Sequence, residues 1–131
     1  MTTIHPIPQK SAVTTDLLDR WKKIPIAVAV DLAPECQINP ALRPLRPAGE
    51  QPPLFGRALT ATSAAPDFGG VLKACELATA GDVLMIDAGG SDRMGMIGEI
   101  LSGHLQRRGA VGLVCDGAIR DVGTIAKMEN F

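Results

Sequence analysis

Aromatic side chains and excess positive charge are both scarce in this sequence. The 131 residues include no tyrosine, one tryptophan and three phenylalanines, and the formal net charge is −1. Direct nucleic-acid binding relies on clustered basic side chains for the phosphates and on aromatic rings for stacking bases. The composition therefore argues against nucleic acid as a direct partner.

Long apolar runs and paired cysteines are missing as well. No segment approaches the roughly 20 apolar residues that span a bilayer, and the start, MTTIHPIPQKSAV, lacks the charged region and apolar core of a secretory signal. Cys36, Cys75 and Cys115 form no CxxC pair, and the last two fall within apolar segments, as core cysteines do. We therefore predict a cytoplasmic protein with no membrane contact and no cysteine metal site.

Nucleotide-binding loops are also absent. The glycine-rich pieces DAGG and GMIG do not form GxGxxG, and GxxxxGK[ST] occurs nowhere in the chain. Neither histidine suggests a ligand. His5 lies in the N-terminal tail, and His104 follows Glu99 by five positions on a predicted helix, which turns it toward another face.

The first 54 residues predict two short helices and a proline-rich connection. Thr14 can cap a helix through LLDRWKKI, and Pro25 suits the first turn of a second helix, IAVAVDLA, which Pro34 ends. Residues 34–54 contain six prolines, too many for a regular element, and favour an extended wrapping segment or an edge strand.

From residue 55 onward, predicted strands alternate with predicted helices. Apolar runs predict strands at 55–64, 82–88 and 110–115. Helical spacing predicts helices at 70–78, 97–108 and 121–128. Gly81 is expected to end the first of these helices, and Gly109 is expected to cap the second. Strand, helix and strand in this order make a βαβ unit with parallel strands and a right-handed crossover. We predict an α/β protein with one domain over 1–131, comprising a helical and proline-rich part, 1–54, and a core, 55–131.

Twenty residues separate Glu99 from the pair Arg120 and Asp121. A helix of about ten residues climbs roughly 15 Å, and a strand of five or six residues returns about 16 to 20 Å, so the two legs nearly cancel. Glu99, Arg120 and Asp121 are therefore expected at one edge of the sheet, together with Asp87. That is the C-terminal edge, where open α/β sheets bind their ligands.

These residue types suit the binding of a small 2-oxo acid. A helix start offers backbone amides that have no partner within the helix, and these amides can bind a carboxylate. Here they belong to Gly98, Glu99, Ile100 and Leu101. Arg120 offers a planar cation for an oxyanion, and Asp121 is a hard oxygen ligand for Mg²⁺ or Mn²⁺. A structural explanation stays open, because Glu99 is favourable at a helix start without any function and an Arg-Asp pair is often a surface ion pair or a helix cap.

The region from Phe55 to Asp121 resembles the RraA-like family, which includes the regulator of ribonuclease activity A and the class II 4-hydroxy-4-methyl-2-oxoglutarate aldolases, also described as oxaloacetate decarboxylases. The resemblance is carried by FGRALTA, GDVLMIDAGG, GE and RRGAVGLVCDGAIRD, with the acidic residue, twenty intervening residues and Arg-Asp. It implies a layered α/β/β fold around the βαβ unit, assembly as a homotrimer, a divalent metal and no organic cofactor.

The resemblance also implies a role for each site residue. Asp121 would hold the metal, and Arg120 would bind substrate and stabilise the pyruvate enolate. The backbone amides from Gly98 to Leu101 would contact the substrate carboxylate, and Glu99 would position or activate a metal-bound water as acid and base. Ile97 stands where the family commonly has a bulky residue such as tryptophan. Family chains also continue past the helix at 121–128. This chain is therefore expected to be a truncated form with an incomplete core.

Two functions from different classes follow. The first is a metal-dependent lyase that releases pyruvate from 4-hydroxy-4-methyl-2-oxoglutarate-type 2-oxo acids and decarboxylates oxaloacetate, and the complete set of Glu99, Arg120 and Asp121 favours it. The second is a non-catalytic regulator of ribonuclease activity that acts by binding a protein. A third reaction, a metal-dependent step on a sugar acid, stays open because these residues recognise only a carboxylate and a carbonyl.

Overall fold

The computed structural model describes residues 13–129 and 131, which form two compact units. The first unit ends at Arg43 and the second comprises Pro44–Phe131. Residues 1–12, to which the predictions about the N-terminal tail and His5 refer, lie outside the described residues. A single domain over 1–131 stays a prediction.

The first unit contains the two predicted helices. Helix α1 spans Thr15–Trp21, and the Thr14 hydroxyl caps it by accepting a hydrogen bond from the Leu17 amide at 3.2 Å. Helix α2 spans Ile26–Leu32. A short 3₁₀ turn, Pro34–Cys36, follows it.

The proline-rich segment forms no strand. No residue from 37 to 56 has strand structure, so the edge-strand alternative for 34–54 is wrong. Proline explains the result, because it has no amide hydrogen to donate to a neighbouring strand.

The second unit is built on a parallel three-stranded sheet. Its strands are β1 (Arg57–Thr62), β2 (Asp82–Asp87) and β3 (Gly112–Cys115), in the spatial order β1-β2-β3. Helix α3 (Gly69–Leu77) connects the first two strands and helix α4 (Glu99–Arg107) connects the second pair. The predicted α/β architecture with parallel strands is confirmed.

The central strand supplies the middle of the core. Leu84 and Ile86 of β2 are buried, and the strand has a neighbour on each side, as its nearly continuous apolar sequence predicted. The largest fully buried apolar side chains of this unit are Val71, Leu84, Met96, Ile97 and Leu105. The sheet and the two helices therefore share one apolar core.

Several element ends differ from the sequence predictions, and strands β1 and β3 are shorter than the predicted 55–64 and 110–115. Helix α3 ends at Leu77, and Gly81, with φ of +83°, forms the turn into β2 instead of stopping the helix. Ile97 lies before α4 rather than on it, because it pairs with Ile119 as an isolated parallel bridge. Helix α5 spans only Val122–Ile125, shorter than the predicted 121–128.

The described helices are all too short or too polar to cross a membrane.

Ser102 of α4 offers a stability test within the core. Its side chain is fully buried, and its hydroxyl has no hydrogen-bond partner in the described part of the chain. Ser102→Ala removes an unpaired buried hydroxyl and improves helix propensity, so the free energy of unfolding in urea should rise by about 0.5–1 kcal/mol. A loss of stability would contradict this result and would mean that the hydroxyl is hydrogen-bonded in solution.

Candidate functional site

Two loops pair side by side beyond the C-terminal ends of β2 and β3. The Met96 amide donates to the Ala118 carbonyl and the Arg120 amide donates to the Ile97 carbonyl, each at 2.9 Å. These bonds continue the parallel pairing of the two strands into the loops. The segment before α4 is therefore fixed against the segment that carries Arg120 and Asp121.

Asp116 fastens the same two loops at their base. Its carboxylate accepts hydrogen bonds from the amides of Ala88 at 2.5 Å and Gly90 at 3.2 Å. The sequence indicated only a turn at Asp116-Gly117, and no local signal showed that the side chain reaches 26 to 28 residues back along the chain. Asp116 is a positioning residue that sequence reasoning missed.

Asp87 forms a local hydrogen bond within the turn that follows β2. Its carboxylate accepts a hydrogen bond from the Gly89 amide at 3.1 Å, directly after β2. Asp87 does not line the cleft described below. The structure therefore shows Asp87 as a residue that stabilises the turn at the end of β2.

Asp121 joins the two ends of the predicted site. Its Oδ2 accepts a hydrogen bond from the Glu99 backbone amide at 3.0 Å, so residues 22 positions apart meet at the start of α4. The Asp121 backbone is left-handed, with φ of 57°, a conformation that aspartate tolerates better than most residues. The expectation that these residues share one edge of the sheet agrees with this contact.

The structural explanation of the Arg-Asp pair is only partly met. Among the described residues the ion pairs are Arg57–Asp82 and Lys73–Glu76, so Arg120 and Asp121 do not pair with each other. Asp121 precedes α5 at its N-cap position but makes no side-chain cap bond to that helix. Its carboxylate instead caps α4, a helix from another part of the chain.

Glycines make room for both charged side chains. A Cβ on Gly98 would stand 2.6 Å from Asp121 Oδ2, and a Cβ on Gly95 would overlap Cγ of Arg120. The backbone at Gly98 is extended, with φ of −147°, so the need for glycine there is one of space and not of conformation. Because glycine has no side chain at these two positions, the Arg120-Asp121 segment can lie close to the start of α4.

A cleft of about 290 Å³ opens beside these contacts. Arg120 and Asp121 line it, and both are exposed. The other lining residues are apolar or glycine: Phe68, Met94, Gly95, Met96, Ile97, Gly98, Ile100 and Leu101. The cleft therefore combines one cation, one carboxylate and an apolar wall.

Glu99 occupies the first position of α4. It is exposed and does not line the cleft itself, although Gly98 and Ile100 on either side of it do. Within residues 13–129 and 131, its carboxylate makes no ion pair. Glu99 is therefore accessible to solvent beside the cleft.

The start of α4 retains capacity for an anion. The Glu99 amide is occupied by Asp121, whereas Ile100 and Leu101 have first-turn amides that lack an acceptor within the helix. Three of the four predicted amides, those of Gly98, Ile100 and Leu101, thus remain candidates for a substrate carboxylate. Arg120 in the same cleft adds a permanent positive charge.

Asp121 also fits a hard divalent cation. Its carboxylate reaches the cleft with one oxygen engaged by an amide, which leaves the second oxygen for a metal. No cluster of three or more potential ligands exists among the residues that the structure describes. A single carboxylate with waters is normal for Mg²⁺, so water and substrate would complete the coordination.

Cys75, which is buried, and Cys115, which is partly buried, are poor nucleophiles. Burial raises the pKa of the Cys75 thiol to about 11. Burial also raises the pKa of the Cys115 thiol, with a smaller opposing effect from the Gly117 amide and a further raising effect from Asp116. Both thiols are therefore protonated at neutral pH, in agreement with their prediction as core residues.

Curated relatives carry an aldolase name. A protein of Halalkalibacterium halodurans named "Putative 4-hydroxy-4-methyl-2-oxoglutarate aldolase" is 38% identical over 87 residues, 66% of this chain and 41% of the relative. A protein of Pseudomonas fluorescens strain Pf-5 with the same name is 36% identical over 75 residues, 57% of this chain and 46% of the relative. The matches thus span less than half the length of these two relatives.

A solved structure shares the fold. The RNA-processing inhibitor RraA from Thermus thermophilis superposes with a TM-score of 0.66 at 27% identity, over 80% of this chain and 62% of that one. The RraA-like family model, described as Aldolase/RraA, matches residues 14–130. Because that match covers nearly the whole chain, this protein belongs to the RraA-like family.

Proposed function

We propose that this protein is a divalent-metal-dependent lyase. It would release pyruvate from 2-oxo acids of the 4-hydroxy-4-methyl-2-oxoglutarate type by retro-aldol cleavage, and from oxaloacetate by decarboxylation. The observation that carries the proposal is the Asp121 carboxylate, anchored by the Glu99 amide in a cleft that also contains Arg120. The names of the two curated relatives support the same reaction class.

Each residue has a distinct task in this reaction. The amides at the start of α4 would hold the substrate carboxylate, and Arg120 would donate hydrogen bonds to the 2-oxo oxygen. A Mg²⁺ or Mn²⁺ ion held by Asp121 would supply Lewis acidity at that oxygen. Negative charge would thus be stabilised where it develops in the transition state.

The retro-aldol step breaks the bond between C3 and C4. Glu99, directly or through water, would accept the proton of the C4 hydroxyl as C4 becomes a carbonyl, and the bonding electron pair passes to the enolate of pyruvate. Protonation at C3 then gives pyruvate. Decarboxylation of oxaloacetate passes through the same enolate, with carbon dioxide leaving from C4, so one set of residues serves both reactions.

A small 2-oxo acid and further copies of this chain are the proposed partners. The homotrimer is carried over from the family resemblance. The alternative function is a non-catalytic regulator that binds a protein, and the similarity to the Thermus RNA-processing inhibitor favours it. A regulator has no need of an acid/base residue at position 99, so the presence of Glu99 beside Asp121 favours the lyase.

The test is pyruvate release from oxaloacetate and from 4-hydroxy-4-methyl-2-oxoglutarate, measured with Mg²⁺ or Mn²⁺ and with EDTA. Metal-dependent turnover of either substrate is the expected result. The regulator becomes the better proposal if the folded chain releases no pyruvate with either metal.

Arg120→Lys tests the geometry of the cation. Lysine keeps the charge but loses the planar fork that can bind two oxygens, so kcat should fall by about 10- to 100-fold. Arg93→Lys is the matched control, because Arg93 is exposed in the loop between β2 and α4 and does not line the cleft. Equal activity of both variants would contradict a role for Arg120 in the reaction.

A further inference from the structure

The loop between β2 and α4 contacts the side chain of Arg120 directly. A Cβ added to Gly95 would overlap Cγ of Arg120 and would stand 3.0 Å from its Cδ. A Cβ added to Gly98 would stand 3.4 Å from Cβ of Arg120 and 3.6 Å from its Nε. The aliphatic part of Arg120 therefore rests along the backbone of this loop. The position of the loop consequently decides the direction in which the guanidinium enters the cleft.

The loop is closed on the segment that carries Arg120. The Ala118 amide donates a hydrogen bond to the Ser91 carbonyl at 2.8 Å, and the Met96 amide donates to the Ala118 carbonyl at 2.9 Å. Residues 91–96 thus leave and return to the same residue of the neighbouring segment. Gly95 lies within this closed stretch, so its contact with Arg120 depends on how the stretch is held.

Asp116 holds the start of the same loop. Its Oδ1 accepts a hydrogen bond from the Ala88 amide at 2.5 Å, and its Oδ2 accepts one from the Gly90 amide at 3.2 Å. Gly89 and Gly90 have φ of 64° and 68°, and glycine by itself allows many other backbone paths. A carboxylate that accepts two amide hydrogens favours this one path, because such bonds are stronger than those between neutral groups.

We propose that Asp116 aims the guanidinium of Arg120 at the oxyanion of a bound 2-oxo acid, an inference that rests on the proposed lyase function. Asp116 does not line the cleft, so it acts through the loop on which Arg120 rests. Hydrogen bonds from the planar fork depend on its direction, and a displacement of about 1 Å can cost about 10² in rate. Negative charge on the 2-oxo oxygen is largest in the enolate, so misdirection should cost the enolate more than the substrate.

Asp116→Asn tests the proposal, with Asp92→Asn as its matched control. Asparagine replaces one acceptor oxygen by an amide nitrogen, which cannot accept a hydrogen bond, so one of the two bonds is lost. With Mg²⁺, kcat for pyruvate release should fall by about tenfold, while KM changes by less than about threefold. Asp92 is exposed on the same loop and does not line the cleft, so Asp92→Asn removes the same charge and should leave kcat unchanged. Equal losses in the two variants would overturn the proposal.

Binding of two small anions separates positioning from a general loss of structure. Oxalate resembles the enolate of pyruvate, because both place two negative oxygens on adjacent carbons, whereas pyruvate carries an uncharged 2-oxo group. Calorimetry at equal free Mg²⁺ should show that Asp116→Asn weakens oxalate binding by about tenfold and pyruvate binding by less than about threefold. Asp116 is exposed, so the unfolding temperature should stay within a few degrees of the unchanged protein. Equal weakening of both anions would overturn the proposal and leave Asp116 with a structural role.

A double-mutant cycle with Arg120→Lys shows whether the effect passes through Arg120. Lysine has no planar fork to misdirect, so in that background Asp116→Asn should weaken oxalate binding by less than about threefold. A loss as large as in the unchanged protein would overturn the proposal, and would leave the lyase function standing if pyruvate is released. The expected binding pattern without release of pyruvate would support the aiming of Arg120 and overturn the lyase function. No oxalate binding by the unchanged protein would overturn both.

Discussion

Asp121→Asn is expected to reduce pyruvate release by about 10³-fold, as much as Asp121→Ala does. A divalent ion held by Asp121 would lower the barrier by several kcal/mol through its charge near the 2-oxo oxygen, and each 1.4 kcal/mol corresponds to a factor of ten. The asparagine amide is a poor ligand for Mg²⁺ because it lacks the negative charge of the carboxylate. The loss should appear in kcat, measured at saturating substrate and at a metal concentration that just saturates the unchanged protein.

The asparagine variant isolates the charge from the architecture. Asparagine tolerates the left-handed backbone at position 121, and its amide oxygen can accept the hydrogen bond from the Glu99 amide. Its unfolding temperature should therefore stay near that of the unchanged protein, and Mn²⁺ binding followed by electron paramagnetic resonance should weaken. Full activity in Asp121→Asn combined with loss in Asp121→Ala would show that the residue acts only as a cap of α4.

Gly98→Ala is expected to reduce kcat by about 100-fold while leaving the fold intact. The added Cβ would stand 2.6 Å from Asp121 Oδ2, so the carboxylate has to move, and this movement disturbs its hydrogen bond with the Glu99 amide. A displacement of about 1 Å in a reacting group can cost about 10² in rate. The extended backbone at this position accepts alanine without strain, so the effect belongs to the site and not to the fold.

Gly103→Ala is the matched control on the same helix. Among the described residues, a Cβ there would meet Arg107 Nη1 at 3.5 Å and Met128 Cε at 3.7 Å, which are ordinary contacts. Removing a helix-interior glycine should stabilise the protein by about 0.5–1 kcal/mol and leave kcat unchanged. Unchanged activity of Gly98→Ala, or a loss in the control as large as in Gly98→Ala, would refute the steric explanation.

The meeting of Glu99 with Asp121 could be expected from spacing. A helix and a strand of these lengths return the chain to its starting edge, and the hydrogen bond between the two residues agrees with that geometry. The catalytic, substrate-binding and metal-binding roles of this set stay predictions: Gly98, Glu99, Ile100, Leu101, Arg120 and Asp121.

Other features could not be read from the sequence because they depend on distant partners. The Asp116 bonds to Ala88 and Gly90 join two loops, and an Asp-Gly pair by itself indicates only a turn. Ile97 has helical spacing with Leu101 and Leu105, yet pairing with Ile119 keeps it out of α4. In both cases a contact between separate segments outweighs a local preference.

Local sequence patterns predicted the order of the elements, the parallel sheet and the buried central strand. They also predicted the edge of the sheet at which the charged residues lie. These predictions were possible because periodicity, helix caps and the βαβ rule depend on residues close together in the chain. Tertiary structure decided that Asp121 caps α4 rather than α5, that Gly95 and Gly98 make room for Arg120 and Asp121, and that an apolar wall faces this pair. These features arise where the two loops pack together, and side-chain packing between segments far apart in the chain leaves no periodic signal along it.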